Sequence, residues 1–295
     1  MINFLKYRLL YGIVSLLFLA LCLGVYVYKW HTRGYTFTYS VDFTGGTQVL
    51  LKFDKPVSPL ALKDVLEKSG WKNSSTREFS VPEEILVRVP EFSNDSKGLS
   101  LRMQHAIQEQ IPDNNVVILQ SEAVGPGVGQ ALRMNFLLAV VIALIAILIY
   151  IALRFWSFAF AIGAIVALIH DPLAILGIFL LFDLEISVNV IGMILTVIGY
   201  SINDTIVIFS RIRENLQKMK GASLAQIVNV SINKTLRRTV LTVLATALSV
   251  LSMFFFGGEA LRDLSLALLI GIAIGAYSSI YIASPVMMAL YKENS

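Results

Sequence analysis

Charge is scarce in this chain. Only 15% of its 295 residues are Asp, Glu, Lys or Arg, against 56% hydrophobic residues. A water-soluble domain of this length exposes more charge, and long apolar runs recur here, so the composition is that of an integral membrane protein. Cysteine is nearly absent. The single thiol, Cys22, lies in an apolar run, where it packs as a small hydrophobe. No disulfide can form within the chain, so cysteine usage leaves the compartment open. A basic surface is lacking too. The formal net charge is +4, yet the polar stretch from Lys29 to Arg133 holds twelve Lys/Arg and twelve Asp/Glu. That stretch is neutral, and the excess sits in the apolar part and its loops. Such a distribution suits anionic lipid heads and argues against nucleic acid.

What is present is a series of six apolar segments, at residues 9–28, 135–153, 158–182, 187–209, 239–256 and 264–290. Lys6 and Arg8 precede the first segment, and no small-residue cleavage pattern follows it, so it reads as an uncleaved membrane helix and not a signal peptide. Tyr26, Tyr28 and Trp30 suit an interfacial belt. Three parts follow: a first span (1–28), a polar domain (29–134) and a five-helix membrane domain (135–295) with a basic loop at 210–238. Threading six helices puts Lys6, Arg8, Arg154, Arg211, Arg213, Lys218, Lys220, Lys234, Arg237, Arg238 and Lys292 on one side. The opposite short loops are poor in Lys and Arg: 183–186 has none and 257–263 has only Arg262. The positive-inside rule then predicts cytoplasmic termini and an extracytoplasmic polar domain.

Within that domain the pattern predicts strand 47–53, helix 58–69, strands 76–80 and 84–89, helix 97–110 and strand 115–122. Ser58 is a candidate N-cap with Pro59 as first helical residue, and Ile85, Val87 and Val89 mark one strand face. The order β-α-β-β-α-β is that of a ferredoxin-like fold. His105, on a predicted amphipathic helix, reads as a surface or packing residue. No metal-spaced cluster or nucleophile–base pair appears there, which predicts a binding or mechanical domain and no enzyme. Gly125, Gly127 and Gly129 follow the last strand without the Lys-Ser/Thr of a phosphate loop, so they read as a hinge.

The most informative stretch is NVIGMILTVIGYSINDTIVIFSRIREN, residues 189–215. A carboxylate in lipid is costly, by about 2.5–3.5 kcal/mol on insertion scales, so Asp204 must face protein or water, be neutral, or have a partner. Asn189, Gly192, Thr196, Gly199 and Asn203 share one helical face, which predicts a small, polar, inward stripe beside Asp204. Ile191, Leu195, Ile198, Ile202 and Ile206 would then meet lipid or greasy neighbours. The third segment carries His170-Asp171-Pro172, about 20 Å from its start at 1.5 Å per residue. The fifth begins at Arg237-Arg238 and aligns Thr239, Thr242, Thr246 and Ser249, and the sixth spaces Gly271, Gly275 and Ser279 four apart. These faces predict one packed interior, with Arg238 within reach of Asp204. Residues 221–234 are amphipathic and predict a separate interfacial helix. Three functions fit such a chain: an ion-coupled relay at Asp204, a small-molecule or lipid exporter, and an intramembrane aspartyl protease using Asp171 and Asp204.

VDFTGGTQV, VGPGVGQAL, IHDPLAILG, VIGYSINDTIVIFSRIREN and NKTLRRTVLT resemble, over essentially the whole chain, the SecD/SecF family of bacterial protein-export membrane subunits, on its SecF side. The resemblance implies a resistance-nodulation-division type bundle of six helices in the inner membrane. It implies SecD, the SecYEG channel, YajC and preproteins as partners, and no cofactor beyond protons, with sodium left open as the coupling ion. It maps the proton pathway to Asp204 and Arg238, with Asn203 inside the motif and Asp171 beside it.

Overall fold

The computed structural model describes residues 1–79, 81–93, 95–155, 157–257 and 259–291. Ser80, predicted to end a strand, Gly258 of the last short loop and the topological Lys292 lie outside the described residues. Two compact units emerge, Met1–Thr38 with Ala139–Ser295, and Tyr39–Leu138. The first boundary falls ten residues beyond the predicted 28/29 because the first helix, α1 (Arg8–Arg33), does not stop where hydropathy drops. It stops at Gly34, whose φ of 73° is the left-handed C-terminal turn that glycine adopts without strain.

The polar unit begins its sheet at a glycine pair. Gly45 and Gly46 have φ of 72° and 109°, and a Cβ at Gly46 would collide with the Val89 carbonyl oxygen, so only glycine starts this strand. The elements are β1 (Gly46–Phe53), α2 (Pro59–Lys68), β2 (Ser75–Glu78), β3 (Glu84–Val89), α3 (Ser96–Gln110) and β4 (Val116–Val124). Ser58 stands at the N-cap position of α2 with Pro59 in the first turn, although the Ser58 side chain makes no capping bond. The sheet order is β2-β3-β1-β4 with every neighbour antiparallel, and Val49 pairs with Val87. That is the split β-α-β order of a ferredoxin-like fold. Period-two alternation turns Val49, Leu51, Phe53, Ile85, Val87 and Val89 to one face, where Leu62, Leu66, Leu99, Met103 and Ile107 of the two helices close over them. Gln48 and Arg88 meet on the other face, at 2.7 Å. His105 is exposed.

The remaining helices are α4 (Pro126–Phe155), α5 (Phe158–Leu181), α6 (Val188–Lys218), α7 (Leu224–Phe256) and α8 (Glu259–Ser278), then a π-turn (Ser279–Ala283) and α9 (Ser284–Leu290). Among the described residues six helices are long and apolar enough to cross a membrane, as predicted. Besides α1, three differ from expectation at their ends. α4 starts at Pro126, so Gly127 and Gly129 lie inside its first turns and Gly125 alone separates β4 from the helix; a Cβ at Gly129 would stand 2.7 Å from the Phe43 carbonyl oxygen. α6 runs past its charges, because Glu214 pairs with Arg211 at 2.5 Å and with Lys218 at 2.6 Å along one face, an arrangement that supports a helix. α7 absorbs the predicted interfacial helix. It opens with a capping box of Ser223 and Gln226 and meets neither glycine nor proline before the membrane.

Candidate functional site

α6 buries one face against α5 and α8. Down that face run Ile194, Val197, Ser201, Asp204, Thr205 and Ile208, so an apolar seam turns polar within its middle turns. Asp204 is 3% exposed, and its Oδ2 has no hydrogen-bond partner. The Thr239 side chain and the Arg238 charge both act on the carboxylate. Arg238 itself is exposed and makes no ion pair with Asp204, so the expected contact is a longer-range one. Arg238 instead lines, with Ser210, Arg211, Glu214 and Lys234, a polar recess of about 390 Å³ between α6 and α7.

Asp171, on α5, is fully buried. Ser201 Oγ donates to its Oδ2 at 2.5 Å, and His170 Nδ1 lies 3.3 Å from its Oδ1. From Ser201 the polar path continues. Ser279 Oγ donates to the Ser201 carbonyl at 3.3 Å, and Thr205 Oγ1 lies 2.9 Å from Ser279 Oγ. Ser279 opens the π-turn, where Ser284 Oγ bonds back to the Ser279 carbonyl at 3.0 Å. π-turns within helices recur at functional sites because they re-aim side chains and free backbone groups. Two glycines let α8 come this close: a Cβ at Gly275 would stand 2.9 Å from Ser201 Cβ, and one at Gly271 would collide with the Val197 side chain. Both are buried.

The predicted stripe on α6 is not. Asn189, Gly192, Thr196, Gly199 and Asn203 are exposed, while Ile191, Ile198 and Ile202 are buried and Leu195 and Ile206 half-buried. The helix is turned the other way, because in a membrane bundle large apolar side chains fill the interior as readily as they face lipid. Small residues allow another helix to come close, and among the described residues none does so here. A Cβ at Gly192 or Gly199 would meet nothing within 4 Å. Asn203 therefore stands outside the cluster that holds Asp204. Thr242 and Thr246 are half-buried on α7, Thr246 lying 3.5 Å from the Tyr200 hydroxyl. Ser201 and Thr205 went unpredicted. Their signal is their four-residue spacing, two residues out of phase with the outward stripe.

Chemically, the cluster can hold or pass a proton or a small cation through oxygen atoms. It is not arranged for peptide hydrolysis: Asp171 turns to Ser201 and His170, Asp204 to Thr239, and the two carboxylates share no proton. No group of three or more His, Cys, Asp or Glu among the described residues is placed to hold a metal ion.

Six helices of membrane-spanning length among the described residues, an α+β domain inserted after the first, and two buried carboxylates, Asp171 on α5 and Asp204 on α6, define a multi-pass membrane protein of the resistance-nodulation-division-like class. The pattern described as "Protein export membrane protein SecD/SecF, C-terminal" matches residues 104–293, and the SecD/SecF GG motif matches residues 34–57. The chain belongs to the SecD/SecF family. It is 41% identical to the protein translocase subunit SecF of Thermodesulfovibrio yellowstonii, over 86% of this chain and 84% of that one. It is 36% identical to the SecF of Pseudomonas aeruginosa, over 98% and 91%. The crystal structure of SecDF, a translocon-associated membrane protein from Thermus thermophilus, superposes with a TM-score of 0.85 at 39% identity, covering 98% of this chain and 38% of that one. These relatives are named as translocase subunits and not as enzymes, as the sequence predicts.

Proposed function

We propose that this chain is the SecF-type subunit of a protein-export complex in the bacterial inner membrane, with both termini cytoplasmic. In that complex it uses the proton-motive force to promote passage of preproteins through the SecYEG channel. The observation that carries the reading is Asp204: a carboxylate 3% exposed, with one oxygen unpartnered, facing Thr239 and the Arg238 charge. A proton arriving there changes the charge of the tightest seam in the bundle. One charge crossing 100 mV is worth about 2.3 kcal/mol, which shifts a modest two-state equilibrium. The hydroxyls of Ser201, Ser279 and Thr205 give Asp171 a role as a second polar station on the same seam. The exposed stripe of Asn189, Gly192, Thr196, Gly199 and Asn203 supports a SecD-type bundle as the partner that covers it. The fusion of the two names in the Thermus thermophilus relative, SecDF, fits that pairing.

Asp204→Asn keeps size and hydrogen bonding while removing titration. In preprotein translocation into inverted vesicles it should abolish the stimulation that an uncoupler removes from the wild type, with complex assembly unchanged. Full proton-driven stimulation in Asp204→Asn would leave Asp204 a packing residue. Stimulation of the wild type that follows a sodium gradient and ignores the uncoupler would make sodium the coupling ion.

A further inference from the structure

On the side of the bundle formed by α1, α5 and α9 lies a groove of about 850 Å³. Leu9, Leu16, Ile169 and Leu173 among its walls are 75%, 69%, 46% and 48% exposed, and a Cβ at Gly12 would meet nothing within 4 Å. Its polar lining is small. Ser15 is satisfied by the Tyr277 hydroxyl at 2.8 Å and His170 by Asp171 at 3.3 Å. Arg8, at the first residue of α1, is the charged residue among the described residues of the lining, and none of those is acidic.

We propose that this groove binds one anionic glycerophospholipid, its phosphate at Arg8 and an acyl chain laid along α1 toward His170. Length supports this occupant. The α1 residues that line the groove run from Arg8 to Leu19, which at 1.5 Å per residue is about 17 Å. One leaflet of a hydrocarbon core about 30 Å thick is about 15 Å deep. The groove therefore has the depth of a leaflet, with its cation at the headgroup end and its aliphatic walls beyond. Charge supports it too. A helix of another protein laid here would cover Arg8 and leave it without a counter-ion unless it brought a carboxylate, whereas a lipid phosphate brings its own. His170 lines the groove and touches Asp171, so the groove borders the polar seam.

The test uses the full chain, purified with and without its SecD-type partner and examined by native mass spectrometry with dioleoylphosphatidylglycerol and dioleoylphosphatidylcholine. The wild type should retain the glycerol lipid about fivefold better, the factor given by about 1 kcal/mol per basic residue at the membrane surface. Arg8→Gln should remove that preference and Lys6→Gln, outside the groove, should keep it. Gly12→Phe, filling the groove, should lower retention of both lipids several-fold, and Leu16→Trp should do the same if Gly12→Phe lowers the melting temperature. Equal retention of the two lipids by the wild type overturns the proposal, as does an equal loss of preference in Lys6→Gln, which makes the attraction a general surface charge. Expulsion of bound lipid when the partner is added also overturns it, and assigns the groove to a protein interface.

Discussion

The inserted domain and the helical bundle bury their residues in different ways. In the domain, twelve side chains from three strands and two helices close on each other, none more than 3% exposed. In the bundle the burial is lopsided. About half of the most apolar stretch is buried in α5 (56%), in α6 (50%) and in the span Leu264–Leu290 of α8 and α9 (50%), against 6% in α1, 6% in α4 and 11% in α7. The domain is complete within this chain. The bundle has a finished seam and unfinished outer faces, which lipid and a partner bundle are suited to complete. Polarity follows the same division. In the domain, apolar and polar side chains alternate along the strands between the core face and the outer face, as water demands. In the bundle Asp171, Ser201, Asp204, Thr205 and Ser279 are buried, while the small polar stripe of α6 is exposed.

The comparison breaks first if the domain cannot stand alone. Residues 39–125 expressed by themselves should unfold cooperatively in urea, and Leu66→Ala should cost about 2–5 kcal/mol, the range for deleting a fully buried leucine side chain. A non-cooperative transition, or a loss well under 1 kcal/mol, would mean that the core is not self-sufficient. A pair of glycines sharpens the bundle side. Gly271→Val forces a side chain onto Val197 and should cost the purified chain about 1–3 kcal/mol, read as thermal unfolding in detergent. Gly192→Val meets open space and should leave the same measurement within about 0.5 kcal/mol, yet lower co-purification of the SecD-type partner. Equal damage to the isolated chain by both would remove the stripe on α6 as a partner surface.

Much of this was legible in the residues, and the illegible part has a physical cause. The alternation Ile85-Val87-Val89 marks β3 to the residue, since one face meets a core and the other meets water. Hydropathy counts six spans correctly but misplaces the ends of α1, α4, α6 and α7, because it reports where lipid ends, while a helix ends where its backbone is stopped. Gly34 stops α1; charges at Arg211 and Arg238 stop nothing, since they are good helix formers. Asp204 was found by its cost in lipid, which is independent of fold. The facing of α6 was not, because in lipid neither apolar nor small polar residues have a fixed side. Ser201, Thr205 and Ser279 become a site only when three helices and a π-turn are brought together.

The smallest expected effect separates two ion pairs, one from each region. Lys63 and Glu67 in the domain stand 3.8 Å apart on the surface of α2, with both side chains more than 40% exposed. Such a pair is screened and contributes little, so Lys63→Met should change stability by less than about 0.5 kcal/mol. Asp183, just after α5, differs because its partner is buried. Lys29, 7% exposed, donates to Asp183 Oδ1 at 2.6 Å and to the Leu180 carbonyl at 2.5 Å, and Arg33 adds a contact at 3.2 Å. The Lys29 hydrogen bond holds the Asp183 carboxyl below the usual carboxylate range, against a smaller opposing push from burial. A carboxyl lowered in the folded state stabilises fully above its unfolded pKa of about 3.9 and ceases to do so as pH falls through its folded value. With the Asp183 side chain 45% exposed, solvent screening limits the gain to about 1 kcal/mol. Asp183→Asn should therefore lower the unfolding temperature at pH 7 and approach the wild type only in acid below the lowered folded value, where both carry a neutral side chain at this position. If the difference is the same at both pH values, the pair holds α1 to the end of α5 by hydrogen bonding alone, and its charge contributes no more than that of Lys63 and Glu67.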